Sequence, residues 1–345
     1  MTDPSHPAVS SARTVRVAVI GAGRIGEVHL SNLTRRVRGV DVTGVFDADA
    51  ARAETLASQY GVAARRSLEA LFSEGAPEAV VIGSPSALHL EHVKLAARAG
   101  LHILCEKPLA LDEEGIAEAI RVCADKGRLL QIGFNRRFDA NTVAMREAVQ
   151  SGSIGQVRSI RITSRDPWPP SIDYVRSSGG MIMDMTIHDF DLARFLSGDE
   201  VVEVSAFDGC VIDPEIGKAG DIDIATIMLK FRSGAIGTIE NTRATPYGYD
   251  QRVEVLGSDA SLESENMTPA RVVTRSAQGQ TQPNPLPFFL QRYEGAFSGE
   301  LQAFVDAVRE GRPVAVSGED ALSAHRIAQA VQRSLATGQP QRVEA

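Results

Sequence analysis

"VRVAVIGAGRIG", residues 15–26, decides the fold. Val15 to Ile20 form a short, continuous apolar run rich in β-branched residues, the pattern of a strand buried on both faces of a parallel sheet. Gly21, Gly23 and Gly26 then complete a G-x-G-x-x-G around Ala22, Arg24 and Ile25, and the residues that follow read as a helix through Val37. The first glycine permits a tight turn, the second lets backbone approach a pyrophosphate, and the third lets helix and strand pack closely. The start of that helix offers free N–H groups and a positive dipole end to phosphate oxygens. Gly21, Gly23, Arg24, Ile25 and Gly26 are the first candidate cofactor residues.

The second strand, "VTGVF" (42–46), ends at Asp47, about twenty residues beyond the last glycine, where a carboxylate accepts both ribose hydroxyls. The same charge repels a 2′-phosphate, and Ala48 offers it no partner, so the expected cofactor is NAD rather than NADP. The apolar strand "AVVI" leads into "GSPSALH" (83–89). Ligands of open parallel sheets lie beyond the carboxyl ends of the strands, which puts Ser84, Pro85 and His89 beside the cofactor. His89 reads equally as an ordinary histidine at a helix start.

Strands and helices keep alternating through "LHILC" (101–105), a helix from Asp112 to Lys126, and "LLQIGF". This predicts an α/β fold whose N-terminal Rossmann domain, residues 15–134, is a doubly wound parallel sheet. After Asn135 the texture changes. A helix at about 139–151 precedes alternating strands, "VRSIRITSR", "VVEVSAFDGC", "IATIMLKF", "AIGTIENTRA", "QRVEVLG" and "ARVVTR". Residues 276–287 read as a loop, and helices are expected at about 292–310 and 317–337. The second domain, 135–345, is thus predicted to be an α/β domain with a large, mostly antiparallel open sheet whose one face packs on helices. Residues 1–14, polar and rich in Pro and Ser without the order of a secretory signal, read as a disordered leader.

Composition narrows the function classes. The chain has 345 residues, 43% of them hydrophobic and 23% charged, with a net charge of −8. An acidic balance argues against nucleic-acid or anionic-membrane partners, and no apolar run approaches the ~18–20 residues of a membrane span. Cys105, Cys123 and Cys210 are odd in number and widely spaced, as expected of reduced thiols in a cytoplasmic protein.

"GGMIMDMTIHDFDLARF", residues 179–195, reads as a buried helix, yet it carries Asp184, His188, Asp189 and Asp191. Burying so many ionisable groups is costly unless they are paired or used. At helical spacing Asp184, His188 and Asp191 share a face, and an aspartate beside an imidazole fixes its tautomer, the equipment of a general base. The bland alternative is a helix-face pair. A metal site is weakly supported without a second histidine, and no metal is expected.

"CEKPLALDEEG" (105–115), placed after the fingerprint, resembles the glucose–fructose oxidoreductase and inositol dehydrogenase family, Gfo/Idh/MocA. "GFNRRFD" (133–139), "SRDPWPP" (164–170), the 179–195 run and "PYGYDQ" (246–251) are similar to its inositol 2-dehydrogenase branch. The resemblance implies catalytic roles for Lys107, Asp184 and His188, with Glu106 and Lys107 also near the cofactor. It implies polyol contacts from Asp166, Tyr247 and Asn135, to which Arg165, Tyr174 and Arg176 add donors. It implies a homo-oligomer, tetramer or dimer, built on the open sheet. The implied reaction oxidises an inositol (myo or scyllo) to its inosose: His188 removes a hydroxyl proton, Asp184 orients His188, and Lys107 donates to the same oxygen. Activity is expected to rise in alkali, where the imidazole is neutral. Phe297 stands where some relatives are expected to carry a tyrosine. The alternatives are a sugar dehydrogenase of the same family and a non-catalytic NAD-binding regulator.

Overall fold

The structure, a computed structural model, describes residues 13–344. The expected leader therefore lies outside the described residues, apart from Arg13 and Thr14. The chain forms two compact units.

The first unit holds five strands: β1 (Val15–Ile20), β2 (Val40–Phe46), β3 (Ala79–Ile82), β4 (His102–Cys105) and β5 (Leu130–Ile132). Their order is β2-β1-β3-β4-β5, and β1 pairs in parallel with both β2 and β3. Strand order reverses between β1 and β3, so the crevice where such sheets bind ligands opens at the carboxyl ends of those two strands. The side chains of β3 are buried throughout, as the continuous apolar run requires. The helix Ala50–Tyr60 starts on Asp49, which accepts from the Arg52 N–H, and stops at Gly61 in the left-handed region.

The units do not divide at one point of the chain. Residues 300–315 belong to the first unit, and 107–118 to the second. The reason is an apolar stripe. On the helix Glu294–Glu310, Leu301, Phe304, Val305 and Val308 recur at helical spacing and pack with Val17, Val19, Leu30 and Val81.

The second unit is built on β6 (Val157–Arg165), β7 (Val201–Gly209), β8 (Ile224–Phe231), β9 (Ile236–Thr242), β10 (Asp250–Gly257) and β11 (Ser261–Ser264). A hairpin of β12 (Thr274–Ser276) and β13 (Gly279–Thr281) stands apart, and β14 (Gln341–Arg342) completes the sheet. The order is β11-β10-β6-β9-β8-β7-β14. Only β6 and β9 pair in parallel within it; the other pairs are antiparallel. Ile160, Ile162, Ile227, Leu229 and Ile239 line the inner face and are buried. The helices Ile187–Ser197 and Gly318–Thr337 carry the buried apolar side chains on that side.

Two expectations fail here. "ARVVTR" is not a strand of the large sheet: only Thr274–Ser276 is extended, in the small hairpin, and it is fully exposed. The partner strand β13 falls inside the segment read as loop. Neither half buries a side chain, so the sheet offers them nothing to pack on.

Phe304→Ala should destabilise the first unit by about 3–5 kcal/mol, the cost of deleting a fully buried aromatic ring. Urea unfolding checks this; a loss well under 1 kcal/mol would mean the helix is not part of that core.

Candidate active site

Two sets of residues carry chemistry, one in each unit. In the first, Gly21 adopts φ +102°, and a Cβ there would stand 2.5 Å from the Gly83 carbonyl oxygen. A Cβ on Gly26 would stand 2.0 Å from the Gly21 oxygen, so the helix is seated directly on the turn. Around Gly23, by contrast, a Cβ would meet nothing within 4 Å. Gly23 is also the N-cap of the helix Arg24–Arg35 and supplies no side-chain cap, which leaves the first N–H groups of the helix for a ligand. Arg24 is exposed beside it, and Ile25 lies against Gly83. Asp47 is planted at the turn: its carboxylate accepts from the Ala22 N–H at 2.7 Å and the Asp49 N–H at 2.9 Å. An open glycine cradle, free helix N–H groups and a carboxylate at the end of β2 fit a dinucleotide. Gly83 was missed in the sequence; the signal was a glycine directly after β3, where strand order reverses.

Two expected cofactor residues are used differently. His89 is buried, and its Nε2 bonds the Ser84 carbonyl at 2.8 Å, while Ser84 Oγ bonds His92 Nδ1 at 2.9 Å. His89 thus braces the loop that presents Ser84 and the exposed Pro85. Glu106 is buried too, with Oε1 hydrogen-bonded to His29 Nε2 at 2.6 Å, so its carboxylate is committed to the protein interior.

In the second unit the centre is Lys107. Its Nζ donates to the backbone carbonyl of Asp184 at 2.6 Å and to its carboxylate at 3.1 Å. Tyr174 donates its hydroxyl proton to the same carboxylate oxygen at 2.8 Å, and Arg243 approaches the other at 3.5 Å. Arg243 also reaches Asp221 at 3.3 Å, and Asp221 accepts from the Met181 N–H. Gly180, at φ +79°, leaves room for Asp221: a Cβ there would stand 2.7 Å from its carboxylate. Burial pushes the Asp184 carboxyl up, but Lys107, Arg243 and the hydrogen bonds from Tyr174 and Lys107 outweigh it and hold the group below the ordinary carboxylate value. Nothing in the sequence marked Arg243 or Asp221.

The 179–195 run is not one α-helix. Ile182–Thr186 is π-helical, and the α-helix is Ile187–Ser197. A π-turn shifts the register, so residues four apart no longer stack on one face. Asp184 consequently pairs with Lys107, and the expected Asp184–His188 hydrogen bond is not formed. His188 Nδ1 is buried without a hydrogen-bond partner among the described residues, and its ring meets Phe134 edge-on at 5.8 Å. Burial, then the nearby charges of Lys107 and Arg136, hold the imidazole well below its ordinary 6.5. His188 is therefore already neutral at neutral pH, and the expected alkaline gain does not come from it. Asp191 is bound by Arg137 through two hydrogen bonds at 2.8 and 2.5 Å, and Asp189 by Arg136, Ser164 and Asn241. Both are scaffold.

Asp166 lies just beyond β6. Burial raises its carboxyl to about 7, with Arg243 opposing and Asp184 adding to the rise. Asn135 is buried in the turn Asn135–Phe138. Arg165 and Tyr247 do not join this group. Arg165 binds Glu240 at 2.6 Å and the Tyr247 hydroxyl at 2.7 Å, and Tyr247 donates to Asp250 at 2.8 Å. Arg165 ends β6 with its guanidinium held by Glu240 and the Tyr247 hydroxyl. Trp168 is exposed and stacks on Phe288 at 5.1 Å.

Comparison with known proteins follows the same division. Residues 15–134 match the family model described as "Oxidoreductase family, NAD-binding Rossmann fold", and residues 142–263 match "GFO/IDH/MocA C-terminal domain". The chain is 42% identical over 323 residues to an inositol 2-dehydrogenase of Rhizobium meliloti, covering 94% of this chain and 97% of that protein. It is 42% identical over 322 residues to a myo-inositol 2-dehydrogenase of Thermotoga maritima, covering 93% and 96%. A crystal structure of scyllo-inositol dehydrogenase from Lactobacillus casei with bound NAD(H) and scyllo-inositol superposes with a TM-score of 0.90 at 27% identity, covering 96% of this chain and 100% of that one.

Gly26→Ala should weaken NAD binding about tenfold or more, because its methyl group must push the helix off the turn. Calorimetric titration reads the Kd; an unchanged value would place the dinucleotide elsewhere.

Proposed function

Because the chain belongs to the Gfo/Idh/MocA family of oxidoreductases, we infer that it is an NAD-dependent dehydrogenase oxidising a secondary hydroxyl of an inositol, myo or scyllo, to the inosose. The observation that carries this reading is the lysine bound to Asp184 together with a neutral, hydrogen-bond-free imidazole nitrogen at His188. NAD, when bound, supplies the two-electron acceptor at nicotinamide C4. Gly21, Gly23 and Gly26 would seat its pyrophosphate, and Asp47 would accept from the ribose hydroxyls. His188 takes the hydroxyl proton as general base. Lys107 donates to the same oxygen and stabilises the alkoxide as it develops. Asp184 anchors Lys107 from two atoms, its backbone carbonyl and its carboxylate. Asp166, balanced between acid and anion near neutrality, serves as donor or acceptor to a neighbouring polyol hydroxyl. The family relatives that act on inositols support the substrate class, since a polyol asks for donors and acceptors rather than a carboxylate clamp.

A second copy of this chain is the partner we propose. On the sheet face away from the helices, Phe207 is 78% exposed, and Met228, Ile236 and Leu256 are 43%, 50% and 40% exposed. A row of large apolar side chains on an open sheet is a surface suited to burial against another subunit. Light scattering should report a dimer or tetramer; a monomer at micromolar concentration would contradict it. The compartment we propose is the cytoplasm, in keeping with three unbridged cysteines, and no helix among the described residues is long and apolar enough to cross a membrane.

Purified protein should reduce NAD with inositols at higher kcat/KM than with any pyranose, and use NADP less well. A pyranose that outperforms every inositol would shift the substrate to sugars. Lys107→Ala should lower kcat about 10²–10³-fold while NAD affinity holds; a fully active variant would remove Lys107 from the chemistry.

A further inference from the structure

Glu300 is fully buried in the first unit, and neither carboxylate oxygen meets a hydrogen-bond donor among the described residues. Its backbone carbonyl accepts from Gln131 Nε2 at 3.1 Å, and Gln131 Oε1 is itself buried without a donor. The Glu300 carboxylate converges on Glu106 and His29, one ligating atom of each lying within 4.8 Å of the others. His29 belongs to the helix Arg24–Arg35 that opens on the glycine turn, and Glu106 is joined to Lys107 by a single peptide bond.

Two carboxylates and an imidazole, all buried, call for a cation or a proton. Geometry chooses between them. His29 Nε2 and Glu106 Oε1 stand 2.6 Å apart, the separation of a direct charge-assisted hydrogen bond. Two ligands of one tetrahedral ion would stand about 3.3 Å apart at ordinary zinc bond lengths. That pair is complete by itself, and Glu300 is left among acceptors. Ionised, it would face a second carboxylate with no donor. Protonated, it becomes a donor and satisfies one of the acceptors beside it.

We propose that Glu300 keeps its proton in the folded protein and, by donating to Glu106, acts as a positioning residue for Lys107. The positioning half rests on the reading of Lys107 as the donor to substrate; the proton half does not. Burial, and then the charge of Glu106, push the Glu300 carboxyl well above its ordinary value, in the same direction. Glu106 from the end of β4 and His29 from the glycine-turn helix are the titratable groups that face it.

The unfolded chain releases this proton near the ordinary value of 4.5, and the folded chain does not. As the pH rises above 4.5, each unit over which the folded chain still holds the proton lowers the folding equilibrium constant of the wild type by up to tenfold. E300Q removes that penalty. In urea unfolding of the full chain from about pH 5 to about pH 9, E300Q should gain on the wild type by up to tenfold per pH unit. A pH-independent difference, or a stoichiometric divalent metal in the wild type that E300Q lacks, would overturn the proton. For positioning, E300L, which neither donates nor accepts, should lower kcat with an inositol about tenfold or more. The KM and the NAD affinity should hold, and E300Q should keep the wild-type kcat. A folded E300L with full kcat would overturn the positioning role. If no variant, nor the wild type, acts on an inositol, the function fails while the unfolding series still decides the proton.

Discussion

Lys107, bound to both the carbonyl and the carboxylate of Asp184, sets the electrostatics of the second unit's site. A buried carboxylate needs a positive partner, and Asp184 takes Lys107 and Arg243. That pairing leaves the Asp184 carboxylate unavailable to His188. The imidazole sits half-buried near two cations, Lys107 and Arg136, with no carboxylate on its Nδ1, and all of this favours the neutral form. A neutral imidazole accepts a proton; an aspartate-paired one would hold its own. The π-turn Ile182–Thr186 makes the arrangement possible, because it turns the Asp184 carbonyl to Lys107 and takes the carboxylate out of line with His188.

The first unit treats a buried acid the opposite way. Among the described residues no hydrogen-bond donor meets the Glu300 carboxylate, and the charge of Glu106 stands beside it. One carboxylate is thus held as an anion by ammonium and guanidinium groups, and another is held neutral by its surroundings. Both devices converge on consecutive residues, Glu106 and Lys107, of the Glu-Lys-Pro turn.

The parts of the fold that were legible in the sequence are those set by backbone constraints between near neighbours. Gly21 and Gly26 announce a turn and a helix contact because a Cβ at either would strike backbone, Gly23 announces an open cradle, and Asp47 follows from the length of one βαβ step. The reading failed where long-range packing overrides local period. Four-residue spacing placed Asp184 beside His188, but a π-turn leaves no mark in the letters. Arg165 and Tyr247, expected as polyol donors, are bound to each other and to Glu240 and Asp250, partners that no local spacing announces. His89 and Glu106 hydrogen-bond the Ser84 carbonyl and His29, partners that the sequence does not announce. Arg243 comes from the end of β9 and Asp221 from a distant loop, so only the folded chain brings them to Asp184.

The protonation state of His188 is where the account is most exposed. An NMR titration of the ring nitrogens in the enzyme, with His188→Gln used to assign the signal, reads it directly. The imidazole should stay neutral as the pH falls through 6.5, protonating only well below that value. A midpoint at or above 6.5 would mean that Asp184 serves His188 after all, and that the division of labour between the two residues is wrong.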